Sequence, residues 1–77
     1  MQKIQILGTG CPKCNQLAEN AAAAVAQLGA EAEVVKVSDI NEITRFGIMM
    51  TPGLAIDGEV KSAGKVLSVD EIKALLA

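Results

Sequence analysis

The chain has no tryptophan, tyrosine or histidine, and Phe46 is its single aromatic residue. Without a row of aromatics there is no stacking platform for single-stranded nucleic acid. Positive charge is scarce as well. Seven Lys and Arg stand against nine Asp and Glu, which leaves a net charge of -2 and a pI near 4.9. No basic run is available to neutralise phosphates, and this argues against nucleic acid or an anionic membrane as partner. Long hydrophobic runs are missing too. The longest low-polarity stretch, "AAAAVAQLGA" from position 21, is Ala-dominated and much shorter than a membrane span. The opening "MQKIQILGTG" carries one Lys and a very short apolar run, too little for a secretory signal, so the expected location is cytoplasmic. Cysteine is limited to Cys11 and Cys14. In that compartment a lone pair of thiols points to catalysis or metal binding rather than to a structural disulfide.

What is present is aliphatic. The 77 residues are enough for one small domain, residues 1–77, whose core must come from Ile, Val, Leu, Ala and Met. Ile4 and Ile6 alternate with polar neighbours over 3–7 and predict a strand that Gly8 and Gly10 break. From Pro12 to Leu28 the residues Leu17, Ala18, Ala21, Val25 and Leu28 recur at helical spacing, and Gly29 supplies the stop. Residues 32–37, "AEVVKV", predict a second strand, parallel to the first through the helical crossover. Asp39, with Glu42 three positions on, reads as a capping box for a short helix with Ile40, Ile43 and Phe46 on one face. Asp57-Gly58 is a two-residue hairpin signal, and Ser68 with Glu71 opens a last helix that buries Val69, Ile72, Leu75 and Leu76. The order is βαβαββα.

The stretch "GTGCPKC" puts both thiols at the boundary between a strand-ending loop and a helix start. There the first backbone N–H groups are unpaired and the helix dipole is positive, and both favour a thiolate. Pro12 fits the first turn, where its missing N–H costs nothing. Lys13 adds a cation to the same turn. Cys14 lies one turn further on and should be the less exposed thiol. Cys11 can then attack a disulfide while Cys14 resolves the product. Other uses of the pair remain. A structural zinc site needs four ligands, which this chain could assemble only by sharing. The arrangement strand, Cys-x-x-Cys loop, helix and strand also resembles heavy-metal-associated domains, although Thr9 stands where those usually carry Met. The rival function is therefore a soft-metal or arsenic-binding module using the same two thiols. A third is a redox sensor whose Cys11–Cys14 state controls a partner.

The second half separates these readings. Pro52 is unwelcome inside a central strand and belongs at a strand start, in a loop where a cis X-Pro bond is readily accommodated. Cys-x-x-Cys at a helix start, Phe46-Gly47-Ile48 ahead of Pro52, the Asp57-Gly58 hairpin and a closing amphipathic helix together resemble the thioredoxin superfamily. The resemblance covers essentially the whole chain, without the extra N-terminal strand and helix of full-length thioredoxins. The pattern is similar to the small glutaredoxin-sized thioredoxins of archaea and anaerobes, including atypical ones with Cys-Pro-Lys-Cys.

The resemblance implies an α/β thioredoxin fold with a four-stranded mixed sheet in the order 2-1-3-4 and helices on both faces. It implies Cys11 as nucleophile and Cys14 as resolving thiol, tuned by Gly10, Pro12 and Lys13. Pro52 would lie opposite the thiols, with the Thr51 backbone and Met50 meeting an extended substrate. It implies a monomeric electron carrier that reduces protein disulfides and is itself re-reduced by a flavin-dependent thioredoxin reductase. Two thiols suffice for a two-electron exchange, so no cofactor and no metal is implied. Two familiar features have no counterpart. Gly10 replaces the Trp that precedes the first cysteine, and the first strand holds no buried acid to deprotonate Cys14. The glutathione-binding Gly-Gly-x-Asp region of glutaredoxins is replaced by "SAGKVLSVDE", which argues against glutathione.

Overall fold

Alternation in β1 (Gln2–Leu7) sends Ile4 and Ile6 to one face of the sheet and Leu7 to the other, all buried. The structure is a computed structural model and describes residues 2–76. After β1 come α1 (Pro12–Leu28), β2 (Ala32–Val37), α2 (Ile40–Arg45), β3 (Gly53–Ile56), β4 (Glu59–Ala63) and α3 (Val69–Leu76). The four strands form one sheet in the order β2-β1-β3-β4. β1 and β2 are parallel with Ile4 opposite Val34, whereas β3 runs antiparallel to both β1 and β4. The fold is α/β and thioredoxin-like.

α1 stops at Gly29, which takes the left-handed conformation (φ 61°) that glycine adopts without strain, and its N–H returns to the last turn. Asp57 and Gly58 both have positive φ, 53° and 87°, as a primed two-residue hairpin turn requires. Asp57 also ties the hairpin to β1, its carboxylate accepting from Lys3 N–H at 2.8 Å. At α3 the capping box is complete: Ser68 Oγ accepts from Glu71 N–H, and Glu71 Oε1 accepts from Ser68 N–H, both at 3.1 Å. Those bonds, with Lys65 behind them, hold the exposed Glu71 carboxyl below its ordinary value.

One face of the sheet carries α1 and α3. Ile4, Ile6, Leu17, Ala21, Ala24, Leu54, Ile56, Leu67 and Ile72 form its core. The alanines let α1 lie close to the strands. The opposite face carries only the short α2, over a cluster of Leu7, Val37, Ile43 and Ala55 flanked by half-buried Phe46, Ile48 and Val60.

Three expectations need correction. Ile40 is 66% exposed and does not share the buried face with Ile43, because it opens a helix too short to cover it. Leu28 and Leu75 are also exposed, each at a helix end beyond the reach of the sheet. Finally, Asp39 caps α2 through Asn41 N–H at 2.8 Å; no reciprocal bond from Glu42 forms among the described residues.

Candidate active site

β1 ends by handing Gly8 N–H to Val37 C=O at 3.0 Å, which prolongs the β1–β2 ladder by one residue. The chain then turns through Gly10 (φ 91°), a conformation that a side chain would strain. This turn delivers Cys11 to the N-cap of α1 with extended backbone (φ −68°, ψ 162°). Its Sγ accepts from Cys14 N–H at 3.3 Å, so sulfur takes the role that a Ser or Asp oxygen usually fills. No acidic side chain occupies the first turn to oppose a thiolate there.

The two thiols differ in environment. Cys11 is partly exposed and Cys14 is 4% exposed. Hydrogen bonding from the Cys14 thiol, and then from Cys14 N–H, lowers the pKa of Cys11 below its ordinary value. Burial pushes the Cys14 thiol up, reinforced by its hydrogen bond to Cys11 and by the Cys11 charge. Cys11 is therefore the accessible sulfur biased toward thiolate, and Cys14 the enclosed one biased toward thiol.

Gly8 and Pro52 define the surroundings of Cys14. A Cβ on Gly8 would overlap Cys14 Sγ, lie 3.0 Å from Cys14 Cβ and sit 4.0 Å from Pro52 Cα. Gly8 thus makes room for the buried thiol. Alternation along β1 carries the signal, since Gly8 follows Ile4 and Ile6 on the face toward α1. Pro52 is fully buried and joined to Thr51 by a cis peptide bond, and its carbonyl accepts from Gly64 N–H at 2.8 Å. Thr51 is exposed, and no backbone hydrogen bond engages it among the described residues.

Of the other candidate residues, Pro12 occupies the first position of α1, and both it and Lys13 are exposed. Met50 is 65% exposed and leans over Gly64, where an added Cβ would lie 3.1 Å from its Cβ and Cε. Met49 is 99% exposed. Neither methionine fills the core. Met49, Ile48, Ile40, Thr9 and Thr51 line an apolar groove of about 420 Å³ between α2 and the Pro52 loop. Ile40 and Thr9 were not legible as site residues, because their convergence with Met49 depends on how α2 packs. No group of three or more metal-ligating side chains occurs among the described residues.

A family model for the thioredoxin domain matches residues 2–77. The chain belongs to the thioredoxin family. Among curated relatives, a thioredoxin of Methanocaldococcus jannaschii is 53% identical over 73 residues, covering 95% of this chain and 84% of that one. A thioredoxin of Methanothermobacter thermautotrophicus is 48% identical over 77 residues, covering both chains completely. A solved structure described as that of a malarial protein superposes with a TM-score of 0.74, covering 99% of this chain and 93% of the other. At 12% identity it attests the fold alone. The chain is a thioredoxin-like redox protein.

Proposed function

We propose that this chain is a thiol–disulfide oxidoreductase that reduces protein disulfides by cycling between a Cys11/Cys14 dithiol and the corresponding disulfide. The observation that carries the reading is the asymmetry of the pair: Cys11 partly exposed with a lowered pKa, Cys14 enclosed with a raised one. The Cys11 thiolate attacks one sulfur of a substrate disulfide and expels the other as thiolate. Cys14 then gives up its proton, attacks Cys11 Sγ and releases the second substrate sulfur. Electrons balance: two protein thiols become a disulfide while the substrate disulfide becomes two thiols.

The remaining roles follow from position. Cys11 lies at a helix N-terminus, and Gly10, Pro12 and Lys13 shape and charge that turn. The unengaged backbone of Thr51, beside Pro52, offers hydrogen bonds to an extended substrate segment, with Met50 as an apolar neighbour. The chain acts as a single domain and a monomer, in the cytoplasm, without a cofactor. A flavin-dependent thioredoxin reductase re-reduces it.

Two measurements test this reading. The dithiol protein should reduce insulin disulfides when supplied with a thiol reductant. Cys14→Ser should accumulate protein partners as mixed disulfides on Cys11, while Cys11→Ser should capture none. Capture by Cys14 in the reciprocal variant would reverse the assignment of roles. Tight stoichiometric Cu(I) binding without insulin reduction would move the chain to the soft-metal reading.

A further inference from the structure

Among the described residues no charged side chain lines the groove between α2 and the Pro52 loop, and its apolar wall is Ile40, Ile43, Ile48 and Met49. The isoleucines are chemically inert. Met49 is the exception, because a thioether is readily oxidised. Packing of the loop decides which sulfur is open. Half-buried Ile48 turns inward against Gly53, whose added Cβ would lie 2.6 Å from Ile48 Cδ1. Met50 lies over Gly64, whose added Cβ would lie 3.4 Å from Met50 Sδ. Met49 shows neither anchor and is 99% exposed.

Its position ties it to the reactive pair. Thr9 in the groove wall stands two positions ahead of Cys11, and Thr51 stands next to Pro52. A substrate segment that runs from Cys11 into the groove meets Met49 at its rim. An apolar side chain without a core partner at such a place serves contact with another molecule, not stability. A sulfoxide there puts a strong dipole where an apolar atom stood, and covering that dipole without a hydrogen-bond partner is unfavourable. The cysteines answer the same oxidant differently. Peroxide takes Cys11 and Cys14 to a disulfide that thiol exchange reverses, whereas thiol exchange leaves a sulfoxide in place.

We propose that Met49 is a modification site for hydroperoxides, and that its sulfoxide weakens docking of protein disulfides while leaving the thiol chemistry intact. The inference rests on the thiol–disulfide reading above, with the substrate lying in this groove. Met49 Sδ gives an electron pair to one oxygen of hydrogen peroxide, the O–O bond breaks, and the second oxygen leaves as water. Sulfur is oxidised by two electrons and the peroxide is reduced by two. Return to the thioether needs a methionine sulfoxide reductase, so the groove is reset separately from the cysteines.

The test starts from the full chain in its Cys11–Cys14 disulfide form, so that hydrogen peroxide meets thioethers rather than free thiols. Peroxide is then removed, the cysteines are reduced with dithiothreitol, and peptide mass spectrometry locates the added oxygen. Met49 should gain oxygen ahead of Met50, and KM for insulin should rise about fivefold, the scale of one lost apolar contact. The single-turnover rate with 5,5′-dithiobis(2-nitrobenzoate), a small disulfide that needs no docking surface, should not change. Met49→Gln, with a polar side chain of similar length, should show the raised KM without peroxide. In Met49→Leu the same treatment should leave KM at its value before treatment. A KM that rises in Met49→Leu, or stays constant once Met49 is fully oxidised, overturns the proposal, and so does oxidation of Met50 ahead of Met49. An untreated, unmodified chain that reduces neither disulfide would instead refute the dithiol cycle itself.

Discussion

The two faces of the sheet differ in depth, and the difference separates stability from recognition. Under α1 and α3 lies a thick aliphatic layer with Leu17 and Ile72 fully buried. Under α2 the layer is four buried residues deep, and the helix itself spans six. α2 is too short to cover its own first residue, so Ile40 stays in solvent beside Ile48 and Met49. Under the proposed function, this open apolar strip is where a protein substrate would dock. The cysteines stand where α1 begins, so the exposed thiol is anchored to the deep face while the open groove belongs to the shallow one.

The contrast can be broken most severely on the deep side. Leu17→Ala should cost about 2–5 kcal/mol, the transfer term plus the cavity left behind, read as a lower midpoint in urea unfolding. Next comes Gly8→Ala, where the added methyl meets Cys14 Sγ and Cβ. Overpacking of this kind costs about 1–3 kcal/mol, and it should also change Cys14 reactivity, because the thiol has to move. Ser68→Ala, which removes the completed cap of α3, should cost about 1 kcal/mol. On the shallow side Ile40→Ser should leave stability within about 0.5 kcal/mol while raising KM for a protein disulfide. A stability loss as large as that of Leu17→Ala would mean that the two faces are not distinct in the way described.

The thiols sharpen the comparison through pH. Only the thiolate reacts, so alkylation of Cys11 by iodoacetamide should fall with acid through a midpoint below that of an ordinary thiol. Cys14→Ala removes the thiol hydrogen bond that does most to lower it and should move the midpoint back up. The same depression links Cys11 to stability: its contribution is present above the unfolded pKa and is lost as pH falls through the folded one. An unchanged midpoint in Cys14→Ala would assign the lowering to the helix terminus alone.

Much of this was readable along the chain. β1, α1, β2 and the hairpin carry their own local signals: alternation, helical spacing, Gly29 as a stop, and Asp57-Gly58 as a turn. So does the site, because Cys-x-x-Cys at a helix start needs no distant partner to be noticed. Weaker readings came where local and tertiary preferences differ. Asp39 and Glu42 match a capping pattern, yet only Asp39 engages, through Asn41. Ile40, Leu28 and Leu75 fit an apolar periodicity but lie at helix ends, where the pattern continues after the sheet has ended.

The sequence alone determined the order of elements and singled out Cys11 and Cys14 as the candidate pair, since each follows from residues within one or two turns of one another. Tertiary structure decided what surrounds that pair. It brought Gly8 against Cys14 and close to Pro52, opened the groove at Ile40 and Met49, and placed Lys36 at a cavity beside the buried thiol. These neighbours come from different strands and loops. Their proximity depends on sheet register and on how close Ala-rich α1 packs, which local propensity does not encode.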